Sequence, residues 1–175
     1  MIRNWFLAIL AGLAVAAIAW QGTLVATPYV LNFVALDKIG QGRVNSFNFT
    51  MPATSENQPI VRPSPDLSYA TCVFDLSEGP VLLDVEPVPD HYWSITVFDG
   101  RTDVAAVQSD RDTGGKPARL VLLRDGMAAP SGYKAVTLGH DKGLALIRIL
   151  MKDRSEFPVI DAIRRKSRCY LAPTK

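Results

Sequence analysis

The pattern of hydrophobic positions divides the chain into two unlike parts. Residues 4–36 form one run of 33 residues without a charged side chain. From residue 67 onward, apolar and polar residues alternate in short segments that are separated by turn residues. The first pattern is typical of a membrane-spanning helix, and the second is typical of antiparallel β-strands.

The uncharged run is long enough to cross a bilayer. A spanning helix needs roughly 20 apolar residues to cross about 30 Å of hydrocarbon, and residues 5–25 meet that length. Trp5 and Trp20 bracket the densest part, and indole rings favour the membrane–water interfaces. We therefore predict a retained transmembrane helix, with a kink or a new helix start at Pro28. The juxtamembrane segment 28–36 then rests on lipid or packs against the soluble domain.

A cleaved signal peptide is the alternative to a retained anchor. Ala17, Ile18 and Ala19 form a small-x-small cleavage signature. Against cleavage, the apolar character continues to Leu36, whereas the apolar core of a signal peptide is typically about 7–15 residues long. Arg3 precedes the run, and positive flanks tend to stay in the cytoplasm. We expect a single-pass inner-membrane protein with a periplasmic C-terminal domain; cleavage would instead release that domain into the periplasm.

The alternating segments predict a mainly β domain. They cover residues 69–76, 81–85, 92–99, 103–108, 119–124, 133–138 and 143–151, with one further short strand within 41–50. Ser155 is the expected N-cap of a closing helix, in which Phe157, Ile160 and Ile163 form an apolar stripe. The expected fold is an antiparallel β-sandwich or open barrel with one C-terminal helix, preceded by the transmembrane helix.

Three regions follow from these patterns. Residues 1–36 are the anchor with its juxtamembrane segment, residues 37–66 are a Pro/Gly-rich connector, and residues 67–175 are the β-rich extracytoplasmic domain. Residues 37–175 carry 18 basic and 17 acidic side chains, a near balance that gives no nucleic-acid footprint. An even pair of cysteines, Cys72 and Cys169, favours a disulfide outside the cytoplasm over two buried free thiols.

Two short groups of residues are candidates for a ligand or partner surface. They are His91, Tyr92, Trp93, Arg164, Arg165 and Lys166. The second group is the one basic concentration in the sequence and would suit anionic lipid headgroups or an acidic partner. The sequence has no metal-ligand spacing, phosphate-binding glycine loop, nucleophile elbow or haem motif. We therefore predict no catalytic residue, no cofactor and no metal.

Two motifs and the C-terminal layout resemble a known family. The motifs are Leu76–Leu83 and Pro87–Asp99, and the chain ends with an apolar strand, a helix and the pair Arg168-Cys169. Together with the N-terminal apolar segment, these features are similar to short members of the bacterial family catalogued as domain of unknown function 1254. The resemblance implies a β-rich envelope domain and implies no particular activity.

Three functions remain open from the sequence. The first is a non-catalytic accessory or interaction module of the bacterial envelope, held by the lipid bilayer and attached to a larger membrane protein complex. The second is a periplasmic binding domain for a small apolar or carbohydrate ligand, with a pocket lined by Trp93, Phe98 and Tyr133. The third is an envelope hydrolase, which requires His91 or His140 beside a carboxylate and a nucleophile.

Overall fold

A long N-terminal helix leads into a domain of two sheets. The computed structural model describes residues 2–54, 56 and 63–173, with side chains from Trp5 onward. Helix α1 covers Ile2–Gly40 and is continuous through Pro28, so the predicted new helix start at Pro28 is wrong. Its segment Trp5–Gly40 is long and apolar enough to cross a membrane, with a mean hydropathy of 1.9.

The helix tolerates Pro28 because the loss is local. Proline removes one backbone donor, while the turns before and after it keep their own bonds. Hydroxyl groups support the preceding turns: Thr23 donates to the carbonyl of Ala19 at 2.8 Å, and Thr27 donates to the carbonyl of Thr23 at 2.7 Å. Helix α1 ends at Gly40, which is four residues beyond the predicted boundary at Leu36.

Nine strands lie within the described residues. They are β1 Asn48–Phe49, β2 Leu67–Asp75, β3 Val81–Val85, β4 Trp93–Phe98, β5 Val104–Ser109, β6 Ala118–Arg124, β7 Lys134–Leu138, β8 Lys142–Leu150 and β9 Arg168–Leu171. The short helix α2, Asp110–Thr113, follows β5. Helix α3, Phe157–Arg164, follows β8 after a 3₁₀ turn at Arg154–Glu156. Most of the loop predicted for residues 54–65 falls outside the described residues.

The strands form a five-stranded sheet, β1-β2-β8-β4-β5, and a four-stranded sheet, β7-β6-β3-β9. Strands β2 and β8 pair along nine residues, from Leu67 opposite Leu150 to Asp75 opposite Lys142. Pairing is antiparallel except between β6 and β7, which are parallel. The predicted mainly β fold is confirmed.

The core lies between the two sheets and is filled by inward-facing side chains from alternate positions of the strands. On β4 the odd-numbered residues Trp93, Ile95 and Val97 point inward and are buried. Cys72 on β2 and Cys169 on β9 form a disulfide, which confirms the predicted pairing. Because the two strands belong to different sheets, the bond holds the sheets together from inside the core.

The C-terminal segment differs from the expectation in two ways. The chain does not close with a helix, because β9 follows α3 and pairs with β3. Four residues are too short for alternation to be recognised in a sequence. Ser155 is also not the N-cap of α3, because Glu156 holds that position. Asp153 caps the 3₁₀ turn instead, and its carboxylate accepts the backbone N–H of Ser155 at 2.7 Å. A 3₁₀ turn therefore precedes the α-helix.

Candidate functional site

The last third of α1 packs against the domain along β2 and β8. The residues that are partly or fully buried recur at helical spacing and are Pro28, Asn32, Ala35, Leu36, Ile39 and Gly40. At the end of the helix, a Cβ on Gly40 would stand 3.2 Å from Val73 Cγ2. The small residue at position 40 therefore lets the helix backbone approach the sheet closely.

Two turns hold the helix at its other docked end. The buried side chain of Asn32 donates from Nδ2 to the carbonyl of Gly100 at 2.9 Å. The ring of Tyr29 meets the edge of His140, with 5.7 Å between centroids, and the guanidinium of Arg101 lies 5.7 Å from the same Tyr29 ring. Both the β4–β5 turn and the β7–β8 turn thus contact α1, and we call them the clasping turns. The domain is fixed to its helix by specific contacts.

A cleft of about 450 Å³ opens at the end of the sandwich opposite the clasping turns, and we call it the distal cleft. The residues that line it come from the β3–β4 loop and from α2 with the turn after it, and they are Pro87, Val88, Pro89, Asp90, His91, Tyr92, Trp93, Asp110 and Gly115. One carboxylate oxygen of Asp110 is buried and has no hydrogen-bond partner among the described residues. This oxygen is an unpaired acceptor that lies beneath the cleft surface and is closed to solvent.

The three predicted residues at this cleft have different roles. His91 donates from Nδ1 to the carbonyl of Pro89 at 2.7 Å, and its Nε2 lies 3.2 Å from Glu156 Oε2. Tyr92 is exposed, whereas Trp93 is only 1% exposed. Trp93 lines the cleft from within the core, because odd positions of β4 face inward, so it is not the exposed surface residue that was expected.

The contact between His91 and Glu156 joins the cleft to the turn before α3. The backbone N–H of Lys152 and the imidazole of His91 both donate to Glu156, which holds the pKa of this carboxyl below its ordinary value. At the other end of the domain, His140 Nδ1 lies 3.3 Å from Asp99 Oδ2. Each histidine thus has a carboxylate, but neither pair includes a serine or cysteine nucleophile, and the two pairs lie at opposite ends.

The residues of the proposed apolar pocket do not meet. Trp93 is in the core, Phe98 is on the opposite face of β4, and Tyr133 belongs to a cluster outside the four-stranded sheet. Within the described part of the chain, no three His, Cys, Asp or Glu side chains come together as a metal site.

The predicted basic surface is not a single surface, because Arg164 is fully buried. Its guanidinium donates to Asp161 Oδ1, to the carbonyl of Thr50 at 2.7 Å and to the carbonyl of Tyr69. Position 164 follows Phe157 by seven residues and Ile160 by four, so it lies on the buried face of α3. The expectation that Arg164 is a surface contact is therefore wrong.

The two neighbours of Arg164 do reach solvent. Arg165 is about half exposed and pairs with the other oxygen of Asp161 at 2.7 Å, and Lys166 is exposed. Burial alone would raise the pKa of Asp161, but the two guanidinium groups outweigh burial and hold it below the ordinary value. Asp161 thus stays ionised between one buried and one exposed arginine.

A polar cluster that the sequence analysis missed lies outside the four-stranded sheet. The nearly buried carboxylate of Asp84 accepts hydrogen bonds from the hydroxyls of Tyr133 at 2.9 Å and Tyr170 at 3.0 Å. It also pairs with Arg119 at 2.9 Å and with Arg168 at 3.3 Å. An acidic residue in the middle of the apolar strand β3 was the sequence signal for this cluster.

The cluster ties three strands and a loop to one carboxylate. Burial would raise the pKa of Asp84, but the bonds from Tyr133, Tyr170 and Arg119 outweigh burial and lower it. The bond to Tyr170, burial and the charge of Asp84 raise the pKa of Tyr133. Since all these groups satisfy one another, we interpret the cluster as structural.

Replacing Asp84 by asparagine is expected to lower the free energy of unfolding by about 2 kcal/mol near neutral pH, because charged hydrogen bonds are lost. The folded-state pKa of Asp84 is lowered, so its stabilisation is present above the unfolded pKa of about 3.9 and is lost as pH falls through the lower folded value. Urea titrations at several pH values should therefore show the difference shrinking below about pH 4. The control is Glu86→Gln, which shares Arg119 but is more exposed. Equal effects of the two changes would contradict this interpretation of Asp84.

Comparison with known proteins places the fold in a family. The sequence profile of the family described as "Protein of unknown function (DUF1254)" matches residues 44–171. The chain belongs to the DUF1254 family. The match includes both sheets, the distal cleft and the Asp84 cluster, and it begins just after α1. No curated protein matches the chain.

Two solved structures are similar to this DUF1254 chain. The VPA0106 protein from Vibrio parahaemolyticus has a TM-score of 0.66 at 14% identity, over 84% of this chain and 35% of that chain. An uncharacterised protein from Burkholderia cenocepacia has a TM-score of 0.47 at 16% identity, over 63% of this chain and 32% of that chain. The first similarity supports the fold alone. The present chain spans about a third of the length of each.

Proposed function

We propose that this DUF1254 protein is a non-catalytic accessory module of the bacterial envelope, anchored in the inner membrane by α1 with its β-domain in the periplasm. The observation that carries the proposal is the exposure of α1. From Trp5 to Val25 its large apolar side chains are exposed, and the apolar window of the helix has no buried residue. An apolar surface of this extent is unfavourable in water and suits a bilayer.

The docked end of α1 also supports a retained anchor. The same continuous helix that exposes apolar residues before Pro28 is held by Asn32 and Gly40 on the domain. Cleavage after Ala19 would leave the helix residues before Pro28 exposed to water. The disulfide between Cys72 and Cys169 fits an oxidising compartment, in agreement with a periplasmic domain.

The arrangement of the histidines supports a non-catalytic role. His91 and His140 each hold a turn in place through a neighbouring carboxylate. The exposed Tyr92 and the cleft beside it lie at the end farthest from the docked turns of α1. We propose this end as the contact for a larger membrane protein complex.

Membrane extraction tests the anchor. We expect the full-length chain to stay in the membrane pellet after high salt and after alkaline carbonate, and to be released by detergent, because apolar burial in lipid is insensitive to both treatments. A variant that lacks residues 1–27 and is exported by a cleavable signal is the control and should be soluble. Release of the full-length chain by salt or carbonate would overturn the proposal.

A further inference from the structure

We propose that the β-domain sits directly on the lipid surface, with the outward side of residues 29–34 of α1 embedded in the headgroup layer of the periplasmic leaflet. This inference rests on the proposed anchor and adds the position of the domain relative to the membrane. It assigns a partner to a helix face that the domain leaves uncovered.

The uncovered face of the docked segment is apolar. On the half of the helix that faces away from the sheet, large side chains are exposed, namely Val30, Leu31, Phe33 and Val34. Phe33 is 73% exposed and Leu31 is 63% exposed. No charged residue follows until Asp37. This face continues the apolar surface of the spanning segment along the same helix, so lipid is the partner that already borders it.

The length of the uncharged helix matches the whole bilayer. From Trp5 to Leu36 the chain has 32 uncharged residues, which measure about 48 Å at about 1.5 Å per residue. The hydrocarbon core needs only about 30 Å, whereas the bilayer with its headgroups is about 40–45 Å thick. A typical helix tilt of about 20° from the membrane normal shortens the height of the uncharged helix to about the thickness of the bilayer with its headgroups. With Trp5 at the cytoplasmic interface, Phe33 and Val34 reach the outer headgroups.

The clasping turns then lie at the lipid surface. Gly100 and His140 contact Asn32 and Tyr29, so both turns share the height of these helix residues. Arg101 covers the Tyr29 ring, and its side chain remains about half exposed. A guanidinium in this place is positioned to contact lipid phosphate, although Asp103 also lies 3.9 Å from it.

The distal cleft lies at the other end of the strands from the clasping turns. Strand β8 runs from Lys142, beside the clasping turns, to Leu150 near the cleft. Nine strand residues span about 30 Å. The cleft with His91 and Asp110 therefore lies about 30 Å from the clasping turns, measured along the strand.

Spin labels on single added cysteines test this placement, with Cys72 and Cys169 left paired. The full chain is reconstituted in vesicles of phosphatidylethanolamine and phosphatidylglycerol. The three variants are Leu13→Cys in the span, Phe33→Cys on the outward face and Tyr92→Cys at the distal end, all at exposed positions. We expect the ratio of lipid-soluble oxygen access to water-soluble nickel-chelate access to be highest at position 13, intermediate at position 33 and lowest at position 92.

The outcomes separate the two proposals. A label at position 33 that behaves like the one at position 92, while position 13 stays in lipid, would overturn the seating and leave the anchor intact. Nickel access at position 13 as well would overturn the anchor itself. Val30→Cys, three residues before Phe33 and on the same side of the helix, provides a second position if the Phe33 variant does not fold.

Discussion

Replacing Arg164 by methionine is expected to lower the free energy of unfolding by about 3–5 kcal/mol, the usual cost of breaking a buried ion pair. Arg164 is fully buried and is held between the rings of Phe49 and Phe157. Methionine fills much of the volume but removes the guanidinium donors of the Thr50 and Tyr69 carbonyls, of which the Tyr69 carbonyl keeps its bonds from Thr50. The loss therefore loosens the contact between α3 and the edge of the five-stranded sheet.

Arg165→Met is the matched control, because it removes the exposed partner of the same carboxylate, Asp161. An exposed ion pair is worth less than about 1 kcal/mol. Urea unfolding of the full chain in detergent, followed by the fluorescence of the core residue Trp93, would measure both variants in one background. Equal losses of unfolding free energy in the two variants would contradict the larger contribution that we assign to the buried Arg164.

Removing the disulfide by replacing both Cys72 and Cys169 with alanine is expected to lower the free energy of unfolding by about 4–5 kcal/mol on the chain-entropy account. The bond closes a loop across a sequence separation of 97 residues. It also joins β2 to the four-residue strand β9, which is otherwise held by its pairing with β3 and by the bonds of Arg168 and Tyr170 to Asp84. We expect β9 and the adjacent α3 to be the first elements that exchange amide hydrogens in the variant.

Reduction of the unchanged protein is the control for the double substitution. A reductant removes the same covalent link without altering the residues, so both treatments should shift the urea midpoint by similar amounts. An unchanged midpoint after full reduction, verified by mass, would contradict the stabilising role of the bond.

The strands were predictable from the sequence because one face of each is buried. Alternation over six to nine residues placed β2, β4 and β8 within about two residues of their observed ends, a usual margin for boundaries. Residues 81–85 agree with β3 at both ends. In contrast, β9 has four residues and no visible period, and its place at the edge of the sheet depends on pairing with β3, more than 80 residues earlier.

Predictions from local sequence rules were also wrong where tertiary contacts determine the structure. Pro28 predicts a new helix start by its backbone chemistry, yet α1 continues and its next turns are held by the domain. Arg164 was assigned to solvent by its charge, although its spacing from Ile160 places it on the buried face. The charge of Arg164 alone does not show that two carbonyl groups and a carboxylate inside the fold accept its hydrogen bonds.

The candidate sites were only partly visible in the sequence. Residues 91 and 92 were predicted as part of a surface, and they do line the distal cleft. Their cleft partners Asp110 and Gly115 come from another element, so no local pattern could include them. The cluster around Asp84 likewise joins Tyr133 and Tyr170, which are 49 and 86 residues away from it along the chain.

The intact mass of the chain recovered from carbonate-washed membranes tests the retained anchor most directly. The account predicts the full-length mass of 19.1 kDa. When Ala17 and Ala19 are both replaced by leucine to block the cleavage signature, the mass should rise only by that of the added side-chain atoms. A shorter mass that begins at Trp20, recovered in the soluble periplasmic fraction and restored to full length by the double substitution, would contradict it.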